Sequence, residues 1–425
     1  MSVKRSLLIG IVIYSLILAG LASLNAALLA AALPLVLYVG IVLVHQPRPL
    51  DLRITRDLDR QYVLPETPVT VTLTVENRGD HLDELVIRER VPSHLEVDGD
   101  TSVIVQLAPG ATCKLVYKIN GPRSVYRFSG PSVVAHEHFG LFRRKQEYDI
   151  TTRLSVLPRS PKLRSIAIRP LRTRGFAGPI LARQGGSGTD FYGVRSYEPG
   201  DPLRWINWRI SARHPRELYT NEYERERIAD VGLILDARER TNIIAGSRSL
   251  FEHSVRATAG LAETFLADGN HVGLLIYGRG LERTFPGYGK LQRQSIFRAL
   301  ADARVGDSLV FDSLDYLPTR FFAAKSQIVL VSPLCEDDPA VLSRLRARGY
   351  QVLVISPDPI DFEEELVEAG PARDLAVRLA RVERALWIRQ LERVGIQVIS
   401  WRIDQALDST VRAGLIKTAQ QPRRL

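Results

Sequence analysis

Cysteine is scarce in this sequence. Only Cys113 and Cys335 occur in 425 residues, and they fall far apart in the chain. Two cysteines in different predicted domains exclude a disulfide framework and a zinc site built from thiolates. Such low cysteine usage is typical of a reducing compartment.

The familiar catalytic motifs are also missing. The chain has no Gly-x-Ser-x-Gly elbow, no His-Glu-x-x-His pair and no Cys with an obvious His partner. Gly185–Gly188 is rich in glycine, but no Lys-Ser/Thr follows it, so the phosphate-loop pattern is incomplete. We therefore predict a flexible hinge at these glycines and a protein that is not an enzyme.

The charge of the chain is strongly positive, with a formal net charge of +10 and an isoelectric point near 9.7. Such a chain favours an anionic neighbour. A lipid bilayer is one candidate, because its cytoplasmic leaflet attracts Lys and Arg side chains. Nucleic acid is the competing candidate and is not expected, since no cluster of basic and aromatic residues occurs.

A long apolar stretch opens the chain. Residues 7–44 are almost all apolar or small, with a weak break at residues 23–25. Each half has about 18 residues and extends about 27 Å, close to the hydrocarbon thickness of a bilayer. Positive residues flank the stretch on both sides: Lys4, Arg5, His45, Arg48, Arg53 and Arg56. We predict a transmembrane hairpin over residues 1–46, hence a two-pass protein of the cell membrane with its other domains in the cytoplasm.

A cleaved signal peptide is the alternative for the same stretch. Lys4 and Arg5 would form its positive region, and the small residues at 22–26 would hold the cleavage site. The second apolar half, which follows at once, favours the hairpin.

Residues 47–158 have the pattern of short strands. Val69, Val71, Leu73 and Val75 alternate with threonines, as expected of a strand with one buried face. Further strands and turn signals such as Pro109-Gly110 recur at short intervals. The pattern predicts an Ig-like β-sandwich.

The stretch from residue 188 to residue 226 is the most distinctive in the chain. Glu198–Asp201 has Pro and Gly at the central positions of a type II turn. Asp201-Pro202 then predicts the start of a short helix that ends near Ser211. From residue 218 to residue 227 the period becomes two, which predicts a strand with three glutamates on one face.

This stretch resembles the family named domain of unknown function 58. The resemblance rests on residues in fixed order: Phe191, Gly193, Arg195, Tyr197, Gly200, Asp201, Arg204, Ile206, Trp208, Ser211, Ala212, Arg213, Leu218 and Glu224. It implies a membrane-anchored protein with a von Willebrand factor A-like domain. It also implies a partnership with an AAA+ ATPase of the MoxR type.

Strands and helices alternate after residue 229. Residues 231–236 form a continuous apolar run that ends in Asp236, as expected of a central parallel strand buried on both faces. The alternation predicts a doubly wound α/β sheet over residues 230–425. Residues 159–229 are then a connector followed by the signature segment, by which we mean residues 188–226.

A von Willebrand factor A-like domain would place a metal at the carboxyl ends of its strands. The family pattern Asp-x-Ser-x-Ser is altered here, because Arg238 and Arg240 stand where the two hydroxyls belong. Pro333 stands where a second aspartate is expected. Since a guanidinium repels Mg²⁺, we predict that Asp236 is the remnant of a degenerate site and that no metal or other cofactor binds. Glu336, Asp337 and Asp338 are possible replacement ligands, but Asp338 is better explained as a helix cap.

Taken with the membrane anchor, the family resemblance implies an adaptor without enzymatic activity, which works with a MoxR-type ATPase in the assembly or remodelling of an unidentified client. Its candidate signature or partner-binding residues are Arg195, Tyr197, Gly200, Asp201, Arg204, Trp208, Ser211, Arg213 and Glu224. One alternative is a metal-dependent adhesion module that faces outside. Another is an envelope enzyme that uses Glu222, Glu224 and Glu226 for acid–base chemistry.

Overall fold

The computed structural model describes residues 2–44, 50–136, 143–164, 166, 173–174, 180–214, 216–246, 248–306, 308–364 and 366–420. The chain divides into two compact units, Met1–Leu157 and Pro158–Leu425, which are described separately.

The first unit opens with two helices, and strands follow them. The helices are α1 (Ser2–Ala22) and α2 (Ala26–Val44). The strands are β1 (Leu52–Leu58), β2 (Tyr62–Val63), β3 (Val69–Asn77), β4 (Leu82–Arg88), β5 (Glu96–Asp98), β6 (Ser102–Leu107), β7 (Thr112–Asn120), β8 (Ser124–Phe128), β9 (Ser132–His136), β10 (Arg143–Glu147) and β11 (Thr152–Val156).

The strands of the first unit form two four-stranded antiparallel sheets, in the orders β1-β3-β7-β5 and β10-β9-β4-β6, and a smaller sheet in the order β2-β11-β8. Buried side chains from the two larger sheets, such as Leu73 on β3 and Ile87 on β4, belong to one hydrophobic cluster. The alternation along β3 is as the sequence predicts, since its valines and Leu73 are buried and its threonines are partly exposed.

The predicted transmembrane hairpin is wrong. Among the described residues, no helix is both long enough and apolar enough to cross a membrane. The first turns of α1 hold Lys4 and Arg5, so its apolar part starts at Leu7 and extends only about 24 Å, against about 30 Å of hydrocarbon. Pro34 lies inside α2, where it removes one backbone hydrogen bond of the helix. The predicted two-pass membrane location depended on this hairpin and is wrong with it.

The second unit alternates strands and helices. Its strands are β12 (Thr173–Arg174), β13 (Ile180–Ser196), β14 (Tyr219–Asp236), β15 (Ile244–Ala245), β16 (Arg248–Ser249), β17 (His271–Tyr277), β18 (Leu281–Gly287), β19 (Gln327–Val331), β20 (Gln351–Pro357) and β21 (Gln397–Trp401). Its α-helices are α3 (Trp208–Ser211), α4 (Leu250–Ala267), α5 (Gly289–Asp302), α6 (Asp338–Ala347), α7 (Ile360–Glu364), α8 (Pro371–Arg393) and α9 (Leu407–Gln420).

The main sheet of this unit has the order β18-β17-β14-β19-β20-β21. β14 pairs in parallel with β17 on one side and with β19 on the other, and β18 is an antiparallel edge. The chain thus leaves β14 for β17 and later returns to the opposite side for β19. Such a reversal of strand order leaves a crevice at the carboxyl ends of the two strands, where doubly wound folds bind their ligands.

β14 is one uninterrupted strand of 18 residues. Its second half is the buried centre of the sheet, and its first half pairs with β13 in an antiparallel hairpin. The glycines at 185–188 lie in β13 and not in a hinge, because Gly185 and Gly186 pair with Glu224 and Tyr223. The pairing register between β13 and β14 shifts between Gly186 and Phe191, so this glycine-rich stretch forms an irregular part of the hairpin.

The helix predicted from Pro202 to Ser211 is two shorter pieces. A 3₁₀ turn covers Leu203–Trp205, and α3 begins only at Trp208. The helical conformation is interrupted before Asn207. The side-chain oxygen of Asn207 accepts a hydrogen bond from the Ile210 amide at 3.1 Å. Asn207 therefore caps the helix, which frees Asp201 for another contact.

The second unit should lose stability in mild acid. Burial of the His253 ring on α4, together with the charges of Arg256 and Arg248, lowers its pKa from 6.5 to about 4. Between these two pH values the unfolded chain binds a proton at His253 and the folded state does not. The free energy of unfolding therefore decreases as pH falls from about 6.5 towards 4.

Tryptophan fluorescence in urea measures this effect in the second unit alone, since all four tryptophans lie there, at 205, 208, 387 and 401. We expect His253→Gln to flatten the fall of the unfolding free energy between pH 6.5 and 4. His214→Gln, at an exposed histidine, should keep the wild-type slope. An unchanged slope in His253→Gln would contradict the assignment.

Candidate functional site

The crevice at the carboxyl ends of β14 and β19 holds a cluster of buried polar side chains. Asp236, the last residue of β14, is 2% exposed, and Ser332, directly after β19, is fully buried. The Ser332 hydroxyl donates a hydrogen bond of 2.6 Å to Asp236 Oδ2. The same hydroxyl oxygen accepts a hydrogen bond from the Leu334 amide at 3.0 Å, which fixes the loop after β19.

The guanidinium of Arg238 occupies the centre of this cluster. It is a fully buried side chain that faces one carboxylate on each side, Asp236 and Asp338. All five of its N–H groups are used: Nε to Asp236 Oδ1 at 2.9 Å, Nη2 to Asp236 Oδ2 and Asp338 Oδ2 at 2.8 Å each, and Nη1 to Asp338 Oδ1 at 2.9 Å and the Asp312 carbonyl at 3.1 Å. Two bidentate pairs on one guanidinium satisfy the hydrogen-bonding capacity of this ion.

The local sequence explains how Arg238 reaches this position. Asp236 accepts a hydrogen bond from the Arg238 amide at 3.1 Å, so the chain turns sharply as soon as the strand ends. The Thr241 hydroxyl donates to the Arg238 carbonyl at 2.9 Å and closes the turn. Gly306 secures it from outside, because its amide donates to the Ala237 carbonyl and its carbonyl accepts from the Glu239 amide.

Asp338 is not the helix cap that the sequence suggested. It is the first residue of α6, and the capping position before it belongs to Asp337. The Asp338 carboxylate instead binds Arg238 and accepts a hydrogen bond from the Cys335 amide at 2.8 Å. A buried guanidinium needs this second counter-charge more than the helix needs a cap, which is the physical reason for the difference.

A second arginine covers the cluster on its outer side. Arg240, about one-third exposed, donates through Nη2 to both carboxylate oxygens of Asp337 at 2.6 and 2.8 Å. Its Nε lies 3.6 Å from Asp312 Oδ1. Sequence reasoning treated both arginines only as obstacles to a metal. Their role as partners of carboxylates about 100 residues away has no local signal in the sequence.

The surrounding carboxylates keep the Arg238 guanidinium charged in spite of its burial. Burial by itself would lower the pKa of Arg238, but the carboxylates of Asp236 and Asp338 outweigh it and hold that pKa above its ordinary value. Burial, followed by the charge of Asp338, raises the pKa of the nearby Cys335 thiol to about 12. Cys335 is therefore a neutral thiol and a poor nucleophile near neutral pH.

The residues present do not fit a magnesium ion. Asp236 and Asp338 would be the natural oxygen ligands, but Arg238 already takes both carboxylates in bidentate contacts. No group of three or more His, Cys, Asp or Glu side chains that could hold a metal occurs within the described residues. The cation of this crevice is thus supplied by the chain itself.

The signature segment lies at the other end of β14. Arg195 on β13 donates to Asp201 Oδ1 at 2.7 Å, and its Nε lies 3.9 Å from Glu222 Oε1 on β14. The turn at Glu198–Asp201 forms as predicted, since the Asp201 amide bonds the Glu198 carbonyl and Gly200 has a φ of +115°. Arg195 and Asp201 thus hold this turn against the hairpin.

Further hydrogen bonds fix α3 on the hairpin. Asn207 Nδ2 donates to Asn221 Oδ1 at 2.8 Å, and the buried Ser211 hydroxyl accepts from the Tyr219 amide at 2.9 Å. The backbone amide of Tyr197 donates to the Leu218 carbonyl at 2.7 Å. The structural members of the predicted set are therefore Arg195, Tyr197, Gly200, Asp201 and Ser211.

The remaining members of the predicted set face solvent or are not described. Arg204, Trp208 and Arg213 are exposed, Trp208 to 65%. Trp205, by contrast, is partly buried, and the Arg204 guanidinium lies 5.9 Å from the centre of its ring. Glu224 lies on β14, and its side chain falls outside the described residues.

The structure does not bring Asp236 and the signature residues into one site. Asp236 lies fifteen positions after Asn221 on β14, or roughly 50 Å along the strand at about 3.3 Å per residue. The crevice and the signature segment are two separate features on one strand.

Comparisons with known proteins agree with the sequence on one point. Residues 193–387 match the model of a family described as "Protein of unknown function DUF58". The predicted resemblance to this family is confirmed. The match begins in β13 and ends in α8, so the DUF58 region contains both the signature segment and the crevice.

The chain is also similar to "Uncharacterized protein YeaD" of Bacillus subtilis (strain 168), with 24% identity over 365 residues, 83% of this chain and 88% of that protein. Similar solved structures include a FixG-related protein from Vibrio parahaemolyticus, with 14% identity, a TM-score of 0.18, and coverage of 25% of this chain and 95% of that chain. Another is α-2-macroglobulin from Escherichia coli, with 17% identity, a TM-score of 0.24, and coverage of 31% and 20%. At these TM-scores neither structure supports an argument.

Removal of the central arginine should be costly. We expect Arg238→Met to lower the free energy of unfolding by about 3–5 kcal/mol, because it leaves two buried carboxylates without their counter-charge. Arg240→Met is the matched control, and it should cost about 1 kcal/mol or less, since its ion pair is solvent-screened. Urea denaturation followed by tryptophan fluorescence measures both, and equal losses in the two variants would contradict the central role of Arg238.

Magnesium should have no effect on the wild-type protein. Because Arg238 saturates the carboxylates, we expect neither millimolar Mg²⁺ nor EDTA to shift the thermal midpoint. Arg238→Ser removes the guanidinium and leaves two carboxylates, the new hydroxyl and that of Ser332 in the crevice, so Mg²⁺ should raise the midpoint of this variant. A rise in the wild type that EDTA reverses would show that a metal does bind.

Proposed function

We propose that this chain is a non-enzymatic adaptor that binds an AAA+ ATPase of the MoxR type through its signature segment. The ATPase is suggested by the family resemblance, and the mode of binding by the surface of the segment. Neither the family resemblance nor the surface of the segment specifies the client protein on which the chain and the ATPase act.

The observation that carries the proposal is the exposure of Trp208 on a rigid support. Trp208 is 65% exposed and Leu203, on the adjacent turn, is 69% exposed. Large apolar side chains held by a hydrogen-bonded frame are typical of interaction surfaces, and tryptophan and arginine are enriched at their energetic centres. Arg204, Arg209 and Arg213 are exposed as well and lie within five residues of this tryptophan in the chain.

The chemistry of the crevice supports a role without catalysis. The side chains that a reaction would use are engaged with each other, and Arg238 has every donor occupied. The alternative of a metal-dependent adhesion module requires a metal in this crevice, and the side chains present do not fit one. The glutamate face gains no support either, because Glu222 lies near Arg195 and the side chains of Glu224 and Glu226 fall outside the described residues.

Direct binding of the purified full chain to a purified MoxR-type ATPase from the same source tests the proposal. We expect Trp208→Ala to weaken binding by about 30-fold, the effect of a hot-spot residue worth about 2 kcal/mol. Leu291→Ala, at a side chain 82% exposed on α5, is the matched control and should bind as the wild type does. Biolayer interferometry with the chain immobilised measures all three.

Two results would contradict the proposal. Absence of binding by the wild-type chain at micromolar ATPase would remove the suggested partner. Equal binding by Trp208→Ala and the wild type would move the interaction away from the signature segment. Circular dichroism and the urea midpoint of each variant establish that the fold is intact.

A further inference from the structure

The long helix α8 carries an apolar stripe on its solvent side. Its members are Leu375, Leu379, Val382 and Leu386, each between 55% and 67% exposed. Their spacing of four, three and four residues puts them on one face of the helix. This is the spacing of the core positions of a coiled coil, and we call these residues the α8 stripe.

The opposite face of α8 is the one that packs on its own unit. Leu391 is fully buried in the core cluster beneath the sheet. The Arg384 guanidinium is buried and donates to the Pro333 carbonyl at 2.5 Å and to Ser356 Oγ at 2.9 Å, at the carboxyl ends of β19 and β20. One face of α8 is thus packed against its own unit, and the α8 stripe faces solvent.

The charges beside the stripe are complementary between two copies of this helix. With Leu375 and Val382 as d positions and Leu379 and Leu386 as a positions, Arg378 is a g position and Glu383 is the following e position. In a parallel two-stranded coiled coil, a g residue of one helix faces the next e residue of the other. Arg378 of each copy therefore meets Glu383 of the other, and two ion pairs flank the apolar seam.

An antiparallel pair would not make these contacts. In that arrangement g residues face g residues and e residues face e residues, so Arg378 and Glu383 lie on opposite flanks of the seam. Both side chains are exposed in the structure. The charge pattern consequently selects the parallel orientation.

We propose that the α8 stripe is a self-association surface, on which a second copy of this chain docks its own α8 in parallel. The seam covers only the twelve residues from Leu375 to Leu386, so it is smaller than a standard protein interface. The dimer is accordingly weak. The surface does not include the signature segment, so self-association and ATPase binding are separable.

Charge reversal on the full chain gives a specific test. Arg378→Glu puts like charges opposite each other across the seam, and Glu383→Arg does the same with the other sign. We expect each single variant to self-associate about tenfold more weakly than the wild type in sedimentation equilibrium. The double variant Arg378→Glu/Glu383→Arg restores both pairs and should return to within about threefold of the wild type.

Mixing the two single variants provides a control that a folding defect cannot mimic. Arg378→Glu and Glu383→Arg chains complement each other, so the mixture should form a heterodimer more tightly than either variant forms a homodimer. Leu379→Asp should abolish dimers, because it buries a carboxylate in the seam. Leu291→Asp on α5, an exposed leucine outside the stripe, should leave the dimer unchanged.

The orientation is tested by a single new cysteine. In a parallel pair the two copies of residue 375 are adjacent, so Leu375→Cys should yield a 375–375 disulfide between chains, identified by mass spectrometry. In an antiparallel pair they would lie about 16 Å apart, too far for a disulfide.

A wild-type chain that stays monomeric at every concentration would overturn the proposal. So would single charge-reversal variants that associate as the wild type does, with no gain on mixing. Failure of the 375–375 disulfide in a chain that does dimerise would overturn the parallel arrangement.

Discussion

The structure of the second unit depends on one buried arginine between two carboxylates. Arg238 links the end of β14, the start of α6 and the loop at Asp312 through five hydrogen bonds, so segments far apart in sequence share one charge. Desolvation of this ion is costly, and only nearly complete pairing offsets it. A covalently attached cation also differs from a metal in one respect: it does not dissociate, and no change in ion concentration alters it.

Elements with a strong local pattern are well predicted from the sequence. The alternation at Val69–Val75 corresponds to a strand with one buried face, and the apolar run ending in Asp236 is the central strand of the sheet, paired in parallel on both sides. The turn at Gly200 follows from its neighbours, because only glycine readily adopts the positive φ required there. In each case a few adjacent residues determine the result.

The predictions from sequence fail where the structure depends on contacts between residues far apart in the chain, or where a helix length is close to a limit. Asp338 resembles a helix cap until its contact with Arg238, one hundred residues earlier, is known. The glycines at 185–188 suggest a hinge, yet pairing with β14 holds their backbone in a strand. For α1 and α2 the predicted length was already at the lower limit for crossing a bilayer. A count of apolar residues does not decide whether a helix that close to the limit crosses the bilayer.

The continuity of β14 has a mechanical consequence. The strand begins at Tyr219 beside α3 and ends at Asp236 in the centre of the sheet, where hydrogen bonds to β17 and β19 hold it on both sides. A force that pulls the signature segment along the strand axis would load the hydrogen bonds between β14 and its neighbours in shear. All of these bonds would then share the load, and they would have to break at the same time. The segment is therefore attached to a central strand of the sheet, and a force applied there is shared with the two strands that flank it.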